Sequence, residues 1–193
     1  LKNTDWDIVI LDRLSYASNG LERLKDISCF NICRVQILTG DFSSALSWGT
    51  KKEIGQVDYI YHLGAETHVD KSITDPESFV KSNILGTFHM LEFAREQKDL
   101  RLFVMFSTDE VYGPAPVGVN YKETDRYNST NPYSATKAGA EQLALAYENT
   151  FKVPVIITNT MNIFGERQHP EKFIPKVIKK VLAGEVVTIH ANP

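Results

Sequence analysis

Residues 101–113 read "RLFVMFSTDEVYG". The run from Leu102 to Phe106 is short, rich in aromatic and branched side chains and bounded by charge, which predicts a strand buried on both faces. Thr108, Asp109 and Glu110 follow it directly. Open parallel sheets bind their ligands at the carboxyl ends of strands, so acids placed there are candidates for chemistry rather than for a simple turn.

Working outward, similar runs recur as "DIVILD", "RVQIL", "VDYIYHLGA" and "VPVIITN", with helical or loop patterns between them. That alternation predicts an α/β protein with a Rossmann-like, doubly wound parallel sheet and helices on both faces. One helix is expected after Pro76, where Val80, Ile84, Phe88, Leu91 and Ala94 recur at steps of three and four. A second is expected over about Asn131 to Phe151, with Pro132 near its start where its missing N–H is harmless. A third should follow Pro175. Residues 114–130, rich in turn-formers and charge, form a loop long enough to be functional.

The 193 residues, 42% hydrophobic, suffice for one packed domain. With a formal net charge of −3 and scattered Lys and Arg, neither a nucleic acid nor a membrane surface is an expected partner, and a small molecule is. No apolar stretch approaches the roughly 20 residues of a membrane span, and Leu1 begins no signal-peptide pattern, so a cytoplasmic protein is expected. Cys29 and Cys33 have helical i, i+4 spacing that could hold half a metal site. No second His or Cys pair completes it, and reduced thiols with no metal are expected.

"YSATK" places Tyr133 and Lys137 on one helix face a turn apart. A free phenol titrates near about 10, and a neighbouring ammonium favours the phenolate, so such a pair makes the tyrosine a usable acid or base near neutrality. Y-x-x-x-K arises by chance in many helices and gains weight only from its company. That company is "STDEVYG", "HLGAETHVD", "NPYSATKAGAEQL" and "TNTMNIFGERQHPEKFIP". Together they resemble the extended short-chain dehydrogenase/reductase family and, within it, the nucleotide-sugar 4,6-dehydratases. Thr-Asp-Glu before V-Y-G is the more specific signal, since related epimerases and decarboxylases usually carry small or hydroxyl residues there.

The resemblance implies dehydration of dTDP-glucose or UDP-glucose with NAD as cofactor. Tyr133, assisted by Lys137, would take the proton of the sugar's 4-hydroxyl, with Thr108 bonded to the same oxygen, while NAD accepts the hydride from carbon 4. Glu110 would then remove the proton on carbon 5, and Asp109 would donate to the departing hydroxyl on carbon 6. The hydride returns to carbon 6, leaving a 4-keto-6-deoxy sugar. Adjacent acids suit opposite roles because the first ionisation makes the second harder.

Other family positions carry over one by one. Asp12, with Arg13, Leu14 and Ser15, matches the segment gripping the adenosine ribose, where a carboxylate accepts a 2′-hydroxyl and repels a 2′-phosphate. Asp41 and Phe42 match the pair lying against adenine. Leu63, Gly64 and Ala65 match a strand end beside the cofactor, where small residues allow close backbone approach. Ser82 matches a position near the nicotinamide ribose, and Asn83 one that bonds either there or within the core. Thr67 matches a substrate contact, and Asn162 and Lys172 match groups holding the nucleotide's phosphates. His62 and His68 are read equally as packed or catalytic. Three positions depart from the family pattern: Ile163 stands where an Asn often meets the cofactor, and Glu166 and Arg167 replace a Pro-aromatic pair. A homodimer through a four-helix bundle, built on the helices near residues 77–97 and 132–150, is also implied.

Two rival readings stay open: a nucleotide-sugar epimerase or decarboxylase of the same superfamily, and a catalytically silent binding module. The chain contains no G-x-G-x-x-G, although Asp12 ends its strand as the ribose-binding acid would. The expected domain is therefore a partial NAD-binding domain over 1–193, lacking its Gly-rich loop, with a C-terminal substrate domain mostly absent. The lost first strand would leave two apolar edges unpaired in mid-sheet. The 193-residue chain alone is expected to bind NAD poorly and to dehydrate no sugar; micromolar affinity in a calorimetric titration would contradict this.

Overall fold

The computed structural model describes residues 3–16, 18 and 33–189. Contacts divide the chain into two compact units, one of residues 7–13 and 36–161, the other of 1–6, 14–35 and 162–193.

In the larger unit, β1 (Ile8–Asp12) pairs with β2 (Val35–Thr39), and β3 (Tyr59–His62), β4 (Leu102–Thr108) and β5 (Val155–Thr160) form a separate ladder with β4 central. Each expected apolar run is thus a strand. β3, β4 and β5 are parallel, with Ile60 opposite Phe103 and Phe103 opposite Val155. The alternation of apolar runs and helices is realised as this parallel α/β layering.

The described helices are α1 (Trp48–Ile54), α2 (Val69–Thr74), α3 (Pro76–Phe79), α4 (Gly86–Arg95), α5 (Pro132–Phe151) and α6 (Phe173–Leu182). α1 and α2 are too short to show a periodic apolar face, and the sequence pattern did not mark them. α1 nonetheless has a local start signal, since the Ser47 side chain accepts from the Thr50 N–H at 3.0 Å. α5 begins with a capping box: Asn131 Oδ1 accepts from the Ser134 N–H at 2.8 Å, and Ser134 Oγ receives the Asn131 N–H at 3.3 Å.

The helix after Pro76 departs from its expected face. A π-helical stretch, Val80–Leu85, joins α3 to α4. Its wider turn shifts the register, because each bond spans five residues rather than four. Phe79, Ser82, Asn83 and Thr87 face inward, whereas Val80 is 42% and Phe88 37% exposed. The buried polar residues are acceptable there because they are bonded. Asn83 clamps both backbone polar groups of Glu66, at 2.8 and 3.0 Å, and Thr87 donates to the Asn83 carbonyl at 2.7 Å.

The core lies between the β3–β4–β5 ladder and the helices α4 and α5. Phe103 and Met105 on one face of β4 are fully buried against Leu91 and Ala94 of α4 and Ala140 and Ala144 of α5. The two alanines, four apart, leave room for α5 to lie close to the sheet.

In the smaller unit, Arg34 Nη1 donates to the carbonyls of Thr4 (2.8 Å) and Trp6 (3.2 Å). Tyr16 donates to Glu171 at 3.2 Å and sets its ring edge-on to His169. α6 starts two residues before Pro175, which falls within the first turn where no N–H is needed. Cys33 is an exposed free thiol; Cys29 lies outside the described residues. Among the described residues, no helix is long and apolar enough to cross a membrane.

Phe42 fills a slot made by two glycines. A Cβ on Gly64 would stand 2.3 Å from its ring, and one on Gly86 would stand 2.7 Å away. The close approach at Gly64 is therefore to Phe42. Gly64→Ala should destabilise the fold by about 1–3 kcal/mol through overpacking. In a Phe42→Ala background the same change should be nearly neutral, a coupling that a double-mutant cycle in urea would read.

Candidate active site

β4 ends at Thr108 and turns at once into a 3₁₀ segment, Asp109–Tyr112. Thr108 starts this turn, its hydroxyl oxygen accepting from the Glu110 N–H at 3.3 Å and donating to Asp109 Oδ1 at 3.3 Å. The two acids therefore project from a tight turn at the carboxyl end of a buried strand. Both are half-buried, and neither faces bulk water alone. Asn131, while capping α5, also donates to Glu110 Oε2 at 3.4 Å, tying the turn to that helix.

Tyr133, 9% exposed, sits in the first turn of α5 and hydrogen-bonds the Thr108 side chain. Its phenol is pushed up to about 12, by burial first and then by the negative charges of Glu110 and Asp109, against a smaller lowering by the Thr108 bond. Thr108, Asp109, Glu110 and Tyr133 thus converge on one place. The expected lowering of the phenol by Lys137 is not what this arrangement produces, because Lys137 turns toward the strand. Its Nζ donates to the Phe106 carbonyl at 2.7 Å. Burial lowers that ammonium to about 8, partly offset by the charge of Glu141.

Glu141 is 1% exposed and stands one turn beyond Lys137 on the same helix face. Its carboxylate accepts from the Ser107 hydroxyl, from Asn159 Nδ2 at 2.9 Å and from the Tyr127 hydroxyl at 2.5 Å. The sequence reading passed over it. The available signal was an acid continuing the Tyr133–Lys137 stripe by a further four residues, between the inward-facing Ala140 and Ala144.

A second charged group lies around Arg13. Its guanidinium contacts Glu66 and lies 3.5 Å from Asp41, while Lys71 donates to Glu66 at 3.1 Å. Burial opposes ionisation of Asp41, but bonds from the Ser43 backbone and side chain, with the Arg13 charge, outweigh it and hold that carboxyl below its ordinary value. Asp12, exposed at the end of β1, accepts the Gly40 N–H through its carbonyl at 3.1 Å. Phe42 packs inward, edge-on to His62. Leu63 is exposed, Gly64 and Ala65 are half-buried, Thr67 is exposed and Ser82 is buried in the π stretch. Leu14, Ser15, Asn162 and Lys172 belong to the smaller unit. There Leu14 adopts φ 52°, the Ser15 carbonyl closes a turn with Ser18, Asn162 is exposed, and Lys172 stands at the position just before α6.

His62 is core rather than catalytic in its surroundings. It is 5% exposed and 3.0 Å from Thr87 Oγ1. Since Thr87 gives its own proton to Asn83, His62 Nε2 is the donor. The half-buried His68 has an unpartnered buried Nδ1.

The chain belongs to the NAD dependent epimerase/dehydratase family, whose sequence profile matches residues 1–192. Among curated relatives it is 40% identical over 191 residues to a trifunctional UDP-glucose 4,6-dehydratase/UDP-4-keto-6-deoxy-D-glucose 3,5-epimerase/UDP-4-keto-L-rhamnose-reductase of Arabidopsis thaliana, covering 97% of this chain and 28% of that protein. It is 39% identical over 209 residues to a dTDP-glucose 4,6-dehydratase of Salmonella typhimurium, covering all of this chain and 57% of that one. Among solved structures it resembles a Streptomyces venezuelae dTDP-glucose 4,6-dehydratase with NAD bound, at TM-score 0.81 and 33% identity over 92% of this chain and 53% of the other. The chain thus spans about a quarter to just over half of these relatives.

The pH dependence of His62 is open to direct test. Burial first, then the Lys137 charge, lowers His62 from 6.5 to about 3. Below 6.5 the unfolded chain takes up a proton that the folded one refuses. The contribution is therefore complete above 6.5 and lost as pH falls toward 3, at up to about 1.4 kcal/mol per pH unit. Urea unfolding at pH 7 and pH 5 should show a shallower decline for His62→Gln than for the parent chain.

Proposed function

We propose that this chain is the NAD-binding portion of a nucleotide-sugar 4,6-dehydratase that converts dTDP-glucose or UDP-glucose to its 4-keto-6-deoxy form. The observation carrying this reading is the convergence of Tyr133 with Thr108, Asp109 and Glu110 at the carboxyl end of β4. Family membership and the 4,6-dehydratase names of the relatives support it.

The residues present fit the dinucleotide by their chemistry. Asp12, Gly64 with Ala65, and Thr108 lie at or just beyond the carboxyl ends of β1, β3 and β4, where such sheets take their ligands. Asp12 offers a carboxylate for ribose hydroxyls, Asp41 and Phe42 neighbour it in the same unit, and Leu63 and Ser82 flank the nicotinamide side. Leu14 and Ser15 are assigned to the same adenosine segment. Arg13, committed to Glu66 and Asp41, offers little to a 2′-phosphate, which favours NAD over NADP. Bound NAD would supply the hydride acceptor and a positive charge.

Tyr133, neutral at rest in this chain, would first release its own proton to solvent with the cofactor's positive charge beside it, and as the phenolate would take the 4-hydroxyl proton as carbon 4 is oxidised. Lys137, with one proton donated to Phe106, keeps others for a ribose hydroxyl and for supporting the phenolate. Thr108 holds the same sugar oxygen. The resulting ketone acidifies carbon 5, whose proton Glu110 removes, steadied by Asn131. Asp109 protonates the leaving hydroxyl on carbon 6, so that water departs; the hydride held by the cofactor would return to carbon 6 as Glu110 gives its proton back to carbon 5, leaving the 4-keto-6-deoxy sugar. Thr67, Asn162 and Lys172 are assigned to substrate, the last two to its phosphates. A cytoplasmic homodimer belongs to the same proposal, supported by the free thiol of Cys33 and by the exposed Leu85 and Phe88 beside α5.

The test uses the full-length protein, its dimeric state checked by sedimentation. Glu110→Gln and Asp109→Asn should each lower release of keto-deoxy sugar by about 100-fold or more while reduced nicotinamide still forms on mixing with substrate. Unchanged turnover in Asp109→Asn would favour the epimerase reading.

A further inference from the structure

One buried acid stands outside the proposed chemistry yet is bonded to the strand end that carries it. Glu141 is among the most buried residues of the chain, and an isolated carboxylate in such a place is strongly unfavourable. Here it is satisfied from three directions. Ser107, the residue before Thr108, donates to Oε1, and so does Asn159 of β5 at 2.9 Å. Tyr127, from the 114–130 loop, donates to Oε2 at 2.5 Å. Asn159 donates as well to the Thr108 carbonyl at 3.3 Å and accepts from the Tyr112 hydroxyl at 3.4 Å. Thr160 donates to the Ser107 carbonyl at 3.2 Å, closing the other side of the strand end.

We propose that Glu141 is a positioning residue for the reaction at Tyr133: its carboxylate supplies the counter-charge for Lys137 and clamps the strand end that carries Thr108, Asp109 and Glu110. The assignment rests on the dehydratase reading for its catalytic consequence, on the bonds to Ser107, Asn159 and Tyr127 for the clamp, and on the position of Glu141 one turn beyond Lys137 for its electrostatic effect. Lys137 is nearly sealed from water, and the groups facing it are few. They include Glu141 on its own helix, the Phe106 carbonyl on β4 and neutral His62 on β3. Among the described residues, Glu141 is the negative charge that raises the Lys137 ammonium against the lowering by burial, which brings it to about 8. Tyr127 and Tyr112 face Glu141 from the loop side, and burial together with the Glu141 charge holds both phenols neutral. No rival cation therefore competes with Lys137 for the carboxylate among the groups that face it.

Glu141→Gln separates charge from shape. The amide oxygen can still accept from Ser107 and Asn159, and its NH2 can donate to the Tyr127 oxygen, so the bonded frame survives while the charge is removed. In the full-length protein, NMR titration of the lysine Nζ signals, with Lys137 assigned by Lys137→Arg, should show its midpoint falling by at least about one pH unit. Turnover should fall about tenfold or more with little change in KM. Tyr127→Phe, which keeps the charge, should leave the Lys137 midpoint at the parent value.

An unchanged Lys137 midpoint in a folded Glu141→Gln protein overturns the proposal, whatever becomes of activity. A lowered midpoint in a protein that makes no keto-deoxy sugar at all would uphold the electrostatic assignment while counting against the dehydratase reading. Should Glu141→Gln fail to fold, Glu141→Asp decides. Its carboxylate keeps the charge, so the Lys137 midpoint should stay near the parent value while the shortened arm loosens the hold on Ser107 and Asn159 and lowers turnover; unchanged turnover, or a second failure to fold, would reduce Glu141 to a purely structural role.

Discussion

A carboxylate buried from water is strongly destabilising unless donors and a counter-charge surround it, and Glu141 obtains these only in one arrangement of its neighbours. Ser107 must end β4 beside it, Asn159 must sit on the adjacent strand, Tyr127 must fold over from the loop, and Lys137 must lie one turn back along α5. Any slip of α5 along the sheet would strand the charge. The small residues Ala140 and Ala144 set how close the helix comes, and Glu141 sets where along the strand it stops. The apolar core thus provides most of the driving force, and the polar network provides the register.

That register has consequences at the other end of the helix. Asn131 caps α5 and also reaches Glu110, so the first turn of the helix and the acidic turn after β4 are held as one piece. Tyr133 is buried between them with Phe79 edge-on to its ring. The phenol is held well above its ordinary value by burial and then by the acids beside it, so the chain's own residues favour a neutral tyrosine. The phenolate that proton transfer requires is then not a resting state of this arrangement. A positive charge brought in with the cofactor is the physical means by which such a tyrosine becomes a base.

The sheet and the larger helices were legible because their signals are local. Runs such as "RLFVMF" and "VPVIIT" have the length and branching of buried strands, and α5 carries Pro and Asn where a helix should start. The buried side of the π-containing helix was not legible. A single widened turn moves Val80 and Phe88 to the surface and brings Ser82, Asn83 and Thr87 inward, and periodicity counted at 3.6 residues cannot register that offset. Phe42 shows a related limit. Its identity suggested a face for a ligand, but its ring is seated on Gly64, Gly86 and His62, residues far apart in the chain.

The amino-acid order by itself determined the parallel α/β class, the strand carrying Thr108, Asp109 and Glu110, and the helix carrying Tyr133 and Lys137. Each of these follows from spacing within about one helical turn or one strand, where covalent geometry decides which side chains are neighbours. Only the tertiary structure decided the partner of Lys137, the seat of Phe42, the neutrality of His62 and the pairing of Arg13 with Glu66. Those depend on which distant segments exclude water from a charge, and burial, unlike spacing, exists only once the whole unit has closed.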